Sequence, residues 1–272
     1  MKLGLSTLLH RDRPLDRALL QDLRQAGVES IELTDYHPGF SDDKPDSFTD
    51  LRSALEELGL HLNSLHIHLE HFDPDIDLAA LAAPQREKAL AAYRQAVDLM
   101  AVLGGGILVT HDIRIPEPPP DPDAALDAEK RAAFLDNFRE IARYAEPAGV
   151  RLALENTSRG YTRQPARLVA LMEDLDASNV GICIDTGHRN LVGDPVAALL
   201  TASRYLITLH IHDNRGERDE HLLPGGGNID WQGVLQTLDE IKYGGVFMYE
   251  LGREEDLSAL RRNFESLLEA RG

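Results

Sequence analysis

KLGLST (2–7), LDRALLQDLRQAG (15–27) and SIELTD (30–35) form one unit: a short apolar run, an amphipathic stretch and a second short apolar run. The outer members suit pleated strands. The middle one carries apolar side chains at i, i+3, i+4 and i+7, the spacing of a helix with one buried face. Two strands joined through a helix lie parallel, with a right-handed crossover. Outward from this unit, FTDLRSALEELG (48–59) leads to HLNSLHI (61–67), and QREKALAAYRQAVDLMAVLG (85–104) leads to GILVTH (106–111). The same rhythm continues through RLALEN (151–156), VGICID (180–185), LITLHIH (206–212) and GVFMYEL (245–251). Gly27, Gly59 and Gly104 stand where helix C-termini favour glycine. Eight such units predict an α/β fold, a (β/α)8 TIM barrel, and 272 residues is a length such a barrel occupies as one domain, expected to span 1–272. An open doubly wound sheet is the alternative, but no GxGxxG turn follows the first strand to recommend it.

Composition narrows the function classes. Arg11, Asp12 and Arg13 arrive before any apolar run long enough for a secretion signal, and no segment approaches the roughly 18 to 20 apolar residues of a membrane span. A soluble, cytoplasmic protein is expected. Cys183 is the only cysteine, so no intrachain disulfide is possible, and within GICIDTG it reads as a small buried strand residue. The net charge of −18, from 46 acidic against 28 basic residues, disfavours nucleic acid as a partner. The loop after the second strand, TDYHPGFSDDKPDSFTD (34–50), is acidic where a DNA-reading loop would be basic. Two segments break the rhythm, IRIPEPPPDPDAA (113–125) and DNRGERDEHLLPGGGNID (213–230). Both follow strand C-termini, where barrel enzymes build their substrate covers.

Those same strand ends are too polar to be core. They hold His66 and His68, His111 and Asp112, Glu155 and Asn156, Asp185 and His188, then His210, His212 and Asp213, Asp219 and His221, and Glu250. In a barrel they converge on one rim, where clustered imidazoles and carboxylates suit a divalent metal. Glu155, Asp185 and Glu250 would repel one another in a low-dielectric mouth unless a cation neutralised them, which predicts a metal site made by these three with a histidine of the seventh strand. His210 and His212 lie two apart on a strand and share a face, so spacing alone leaves open which one ligates. His68 and His71 read as solvated, and His10, His37 and His61 as incidental.

The strings LALEN (152–156), CIDTGH (183–188), LHIHDNRG (209–216), DEHLLPGGGNIDW (219–231) and YEL (249–251), in that order, resemble the xylose-isomerase-like barrels, which include sugar isomerases, sugar epimerases and endonuclease-IV-type enzymes. The epimerase branch implies one metal on Glu155, Asp185, His210 and Glu250, with Glu155 and Glu250 as the catalytic acid/base pair. It also implies substrate contacts from His188 and, with one residue less of spacing, Arg215. The endonuclease branch implies three zinc ions on nine ligands: His66, His111, Glu155, Asp185, His188, His210, Asp219, His221 and Glu250.

The function expected is therefore a metal-dependent isomerase or epimerase of a sugar, sugar phosphate or polyol, acting by enediolate proton transfer. The metal would polarise a carbonyl while one glutamate removes the α-proton and the other returns it. Mixed oxygen and nitrogen donors suit zinc or manganese first, with cobalt or magnesium also accommodated. The alternatives are a zinc phosphodiesterase of the endonuclease-IV type and a barrel that binds a ligand without turning it over. Small-molecule substrate, no membrane and a possible homo-oligomer complete the expectation.

Overall fold

Period-two alternation along the strands separates two apolar layers. In Val150–Glu155 (β5), Leu152 and Leu154 belong to the large core between sheet and helices, whereas Ala153 joins Ile107, Val109, Cys183 and the partly buried Ile207 in a small separate cluster. The computed structural model describes residues 1–37, 45–111, 128–252 and 257–270. Its other strands are Lys2–Ser6 (β1), Ser30–Thr34 (β2), His61–Ile67 (β3), Gly106–Thr110 (β4), Val180–Asp185 (β6), Leu206–His210 (β7) and Val246–Tyr249 (β8). All neighbours pair in parallel, in the order β7-β6-β5-β4-β3-β2-β1-β8. The two ends of that order meet through a parallel bridge between Ile211 and Tyr249. There Ile211 N–H donates to Met248 O at 2.8 Å and Glu250 N–H donates to Ile211 O at 3.0 Å, closing the (β/α)8 barrel.

Helices Arg17–Gln25 (α1), Pro45–Leu58 (α2), Leu69–Phe72 (α3), Ala83–Leu103 (α4), Ala128–Ala145 (α5), Pro165–Leu175 (α6), Thr186–Asn190 (α7), Pro195–Ala202 (α8), Trp231–Glu240 (α9) and Leu257–Ala270 (α10) run between or after the strands. Asp16, Asp194 and Asp230 cap α1, α8 and α9 by accepting backbone N–H groups of the first turn. The apolar stripe read in α1 is real: Leu19, Leu20 and Leu23 are fully buried, each such side chain contributing about 1.5 to 3 kcal/mol. Gly27, Gly59 and Gly104 all have positive φ, as their helix-end positions predict. Among the described residues no helix is long and apolar enough to cross a membrane.

Several strands stop a residue or two short of the predicted ends. Thr7 opens a 3₁₀ turn capped by Ser6, and β7 ends at His210 because Ile211 leaves the β6 ladder to bridge β8. The proline-rich segment 113–125 and positions 38–44 of the acidic loop lie outside the described residues.

The loop after β7 is organised by one buried carboxylate. Asp213 accepts N–H groups from Asn214 and Gly225 at 2.9 Å, from Ile229 at 3.3 Å, and from the Trp231 indole at 2.9 Å. Its backbone pairs in both directions with Leu222, at 2.8 Å each way. A side chain on Gly227 would enter this knot, since a Cβ there would lie 2.1 Å from Asn214 O and 2.3 Å from Asp213 Oδ1. Asp213→Ala would strand several buried donors at about 1 to 3 kcal/mol each, so a loss of about 3 kcal/mol or more in urea unfolding is expected. Trp231 is the only tryptophan, and its fluorescence reports the loop directly. A loss below about 1 kcal/mol would show that the knot does not hold the loop.

Candidate metal centre

The alternation that buries Val109, Ala153 and Cys183 inside the barrel carries His111, Glu155 and Asp185 to the same face two residues later. Thr208 and His210 repeat the pattern on β7. Glu155, Asp185 and His210 have no exposed surface, and Glu250, just beyond β8, is also buried. The register places Glu155 beside Cys183 and Asp185 beside His210. Asn156 locks the two strand ends together, donating to Asp185 O at 3.0 Å and accepting Asp185 N–H at 2.8 Å.

Around His210 Nδ1 lie Glu155 Oε2 at 3.1 Å, Glu250 Oε2 at 3.6 Å and Asp185 Oδ2 at 3.9 Å. These are the four side chains that the strand ends and the family resemblance predicted as one site, and the fold brings them together. Glu155 Oε2 and His210 Nδ1 are both buried without a hydrogen-bond partner. Leaving two such atoms facing each other is costly unless something lies between them. Three carboxylates and an imidazole with donor atoms orphaned in this way fit a divalent cation.

Two further donor sets adjoin this one. His66 Nε2 stands 3.2 Å from both Glu155 Oε2 and His111 Nε2, and His111 Nε2 is 3.7 Å from the same glutamate oxygen. On the other side, Asp219 Oδ2 lies 3.2 Å from His188 Nε2 and 3.2 Å from His221 Nε2. His188 Nδ1 faces Glu155 Oε1 at 3.0 Å, and its backbone N–H donates to Asp185 Oδ1 at 2.6 Å, so Asp185 caps α7 while facing the site. All nine side chains named for the three-ion arrangement are thus contiguous. Arg215 is not among them: its side chain is 61% exposed and paired with Glu220, so the residue expected to contact substrate stands at the rim.

Burial and charge push neighbouring groups in opposite directions. Burial raises Glu250 to about 7, against the pull of His210 and His221. Burial acts on Glu155 too, but His210, His66 and His188 outweigh it and hold that carboxyl well below the ordinary range. Burial, with His68, His210 and His111 nearby, pushes His66 well below its usual value despite Glu155, so this ring stays neutral and suited to ligation. Burial alone would lower His188 as well, yet Asp185, Asp219 and Glu155 raise it well above. Cys183 is buried and its thiol is pushed up by burial, which fits a strand residue rather than a nucleophile.

Two features were missed or misplaced by sequence reasoning. Glu32, in the middle of β2, has no exposed surface, and its Oε2 lies 3.0 Å from His210 Nε2. The signal was present in SIELT, where Ser30, Glu32 and Thr34 alternate with Ile31 and Leu33. His68 was expected in solvent but is buried, its ring facing Asp35 at 2.9 Å and tilted against His66 with ring centroids 4.0 Å apart. His212 is a buried support: its Nε2 contacts Asp185 at 3.0 Å, and Gly187 leaves it room, since a Cβ there would fall 1.9 Å from the ring. His10 and His37 are buried away from the site, His37 facing the carbonyls of Thr7 and Arg13, while His61 meets Ser30.

Comparison with known proteins bears on the fold and the family. An uncharacterized protein of Methanocaldococcus jannaschii is 34% identical over 65% of this chain and 61% of its own length. A D-psicose 3-epimerase of Ruminiclostridium cellulolyticum is 32% identical over 43% of the chain and 39% of its own. The chain therefore spans less than two thirds of the length of the first curated relatives it matches. A ketose 3-epimerase of Arthrobacter globiformis is 28% identical over 92% of the chain and 83% of its own length. The crystal structure of a D-tagatose 3-epimerase-like protein superposes with a TM-score of 0.84 at 25% identity, covering 100% of this chain and 98% of that one. The model of the xylose isomerase-like TIM barrel family matches residues 20–270, and the chain belongs to that family.

Proposed function

We propose that the protein is a metal-dependent ketose epimerase or isomerase, in which Glu155 and Glu250 carry protons to and from the carbon next to a sugar carbonyl. The observation that carries this reading is the placement of these two buried glutamates, 3.1 and 3.6 Å from His210 Nδ1, in one barrel mouth. The ketose 3-epimerases among the relatives support the substrate class, and the net charge of −18 argues against a polyanionic substrate. A divalent cation held by Glu155, Asp185, His210 and Glu250, with zinc or manganese suiting the donors best, would supply Lewis-acid polarisation of the carbonyl.

The chain's own residues do the rest. One glutamate accepts the α-proton and the other returns it, to the opposite face for epimerisation or to the adjacent carbon for isomerisation. His188 orients Glu155 through their 3.0 Å contact. Asp185 is steadied by His212 and by the first turn of α7. The loop knotted around Asp213 sets Asp219 and His221 beside His188, where they hold its Nε2 side.

A second reading, a zinc phosphodiesterase, is favoured by the donor sets His66–His111 and His188–Asp219–His221, which a one-ion epimerase does not need. Metal content separates the two. Elemental analysis of purified protein is expected to give one ion per chain, and incubation with abasic-site DNA plus zinc to give no incision. Three zinc ions per chain with clean, salt-sensitive incision would reverse the assignment.

Glu155→Gln and Glu250→Gln are each expected to lower turnover on a ketose panel by about 10² to 10⁴ while the barrel stays folded. Metal occupancy must be measured beside the rate, because both side chains are proposed to hold the cation as well. In the wild type, solvent deuterium should enter the substrate carbon. Turnover without deuterium incorporation would mean that the glutamates do not transfer the proton.

A further inference from the structure

Glu32 is a carboxyl group in mid-strand, without exposed surface, two residues above Ser30 and below Thr34 on the inner face of β2. Such a group is costly to bury unless its oxygens are bonded. Its Oε2 accepts Ser64 Oγ–H at 2.7 Å and meets His210 Nε2 at 3.0 Å, whereas Oε1 has no partner. Ser64 is itself held from below. The Asn63 amide donates to Ser64 Oγ at 3.0 Å and to Thr208 Oγ1 at 3.2 Å, and all three residues are buried. A continuous polar chain therefore runs from the barrel interior through β3 and β2 to the ring of His210.

A neutral imidazole has one N–H and one lone pair, and the partner of the N–H decides which nitrogen is left to ligate. With Oε2 accepting at Nε2, the lone pair is left on Nδ1. That nitrogen is the one facing Glu155, Glu250 and Asp185 and lacking any hydrogen bond. Donor atoms of Glu32, His66, His210 and Glu250 also lie within 4.8 Å of one another, so Glu32 as a ligand is the competing arrangement. It is disfavoured because Glu32 Oε2 already accepts from Ser64, and because one ring cannot turn both nitrogens to one ion.

We propose that Glu32 is a positioning residue that stands behind His210, anchored by Ser64, and fixes Nδ1 as the nitrogen presented to the cation. This rests on the cation reading above and not on the sugar chemistry. Carboxylate partners behind ligating histidines typically govern metal affinity by about 10- to 100-fold.

The test uses full-length protein, wild type and Glu32→Ala, Glu32→Gln and Ser64→Ala, with zinc as the probe. Zinc affinity is measured by competition with a chelator, and the His210 ring nitrogens by NMR of ¹⁵N-histidine-labelled protein with and without zinc. Glu32→Ala should weaken zinc by about 10- to 100-fold. The Glu32→Gln and Ser64→Ala changes should weaken it less, the first because an amide oxygen still accepts. The wild-type ring should bind zinc through Nδ1 and keep a hydrogen-bonded Nε2–H, whose signal shifts in Glu32→Ala. Zinc affinity within about twofold of wild type with an unchanged His210 signal, or ligation through Nε2, would overturn the proposal. Should Glu32→Ala fail to fold, the other two variants decide by the same readings. If wild-type protein takes up no zinc, the cation reading falls, and the metal-free His210 signals alone decide the role of Glu32.

Discussion

Carboxyl groups that cannot reach water set the terms for the rest of this barrel. Glu32, Glu155 and Asp185 have no exposed surface, and Glu250 is nearly as deep. Ions taken that far from water cost several kcal/mol each unless partners compensate. The imidazoles of His66, His188, His210 and His212 surround them for that reason. Yet protein donors do not finish the job, since Glu155 Oε2 and His210 Nδ1 remain unbonded. In the proposed reading a divalent cation would take up those remaining lone pairs.

The fold supplies this arrangement with simple geometry. Parallel strands with helices outside point all their C-terminal ends to one rim, and alternation decides which residues face inward. Small apolar residues, Val109, Ala153 and Cys183, plug the interior just below His111, Glu155 and Asp185. Water is kept out from beneath, which strengthens every electrostatic interaction above. Around the rim, short helices and loops steady the donors: α7 begins on Asp185, and the loop after β7 closes on Asp213.

Much of this was legible in the sequence because polar residues interrupt apolar strand ends. Glu155 ends LALE, Asp185 ends GICID and Glu250 follows VFMY, and each stands out against its neighbours. Glu32 escaped notice because it sits within a strand, where polar residues alternating with apolar ones resemble an ordinary solvent-facing side. Only closure of the sheet turns that face inward. His68 was misjudged for a related reason: its partner Asp35 comes from just beyond the neighbouring strand β2, a contact that no local pattern reveals. The residues alone left His210 and His212 open, because both lie on one face; the resemblance named His210, and the structure turns His210 Nδ1 toward Glu155, Glu250 and Asp185 while His212 Nε2 meets Asp185. Arg215 depended on a spacing one residue short of the family pattern, and the chain spends that side chain on Glu220 instead.

The claim on which the functional reading stands is that Glu155, Asp185, His210 and Glu250 hold one ion together. A crystal structure of manganese- or zinc-loaded protein, with the ion located by anomalous scattering, tests it most directly. All four side chains should ligate at roughly 2.0 to 2.3 Å, His210 through Nδ1. An ion with any two of the four farther than about 4 Å away would contradict it.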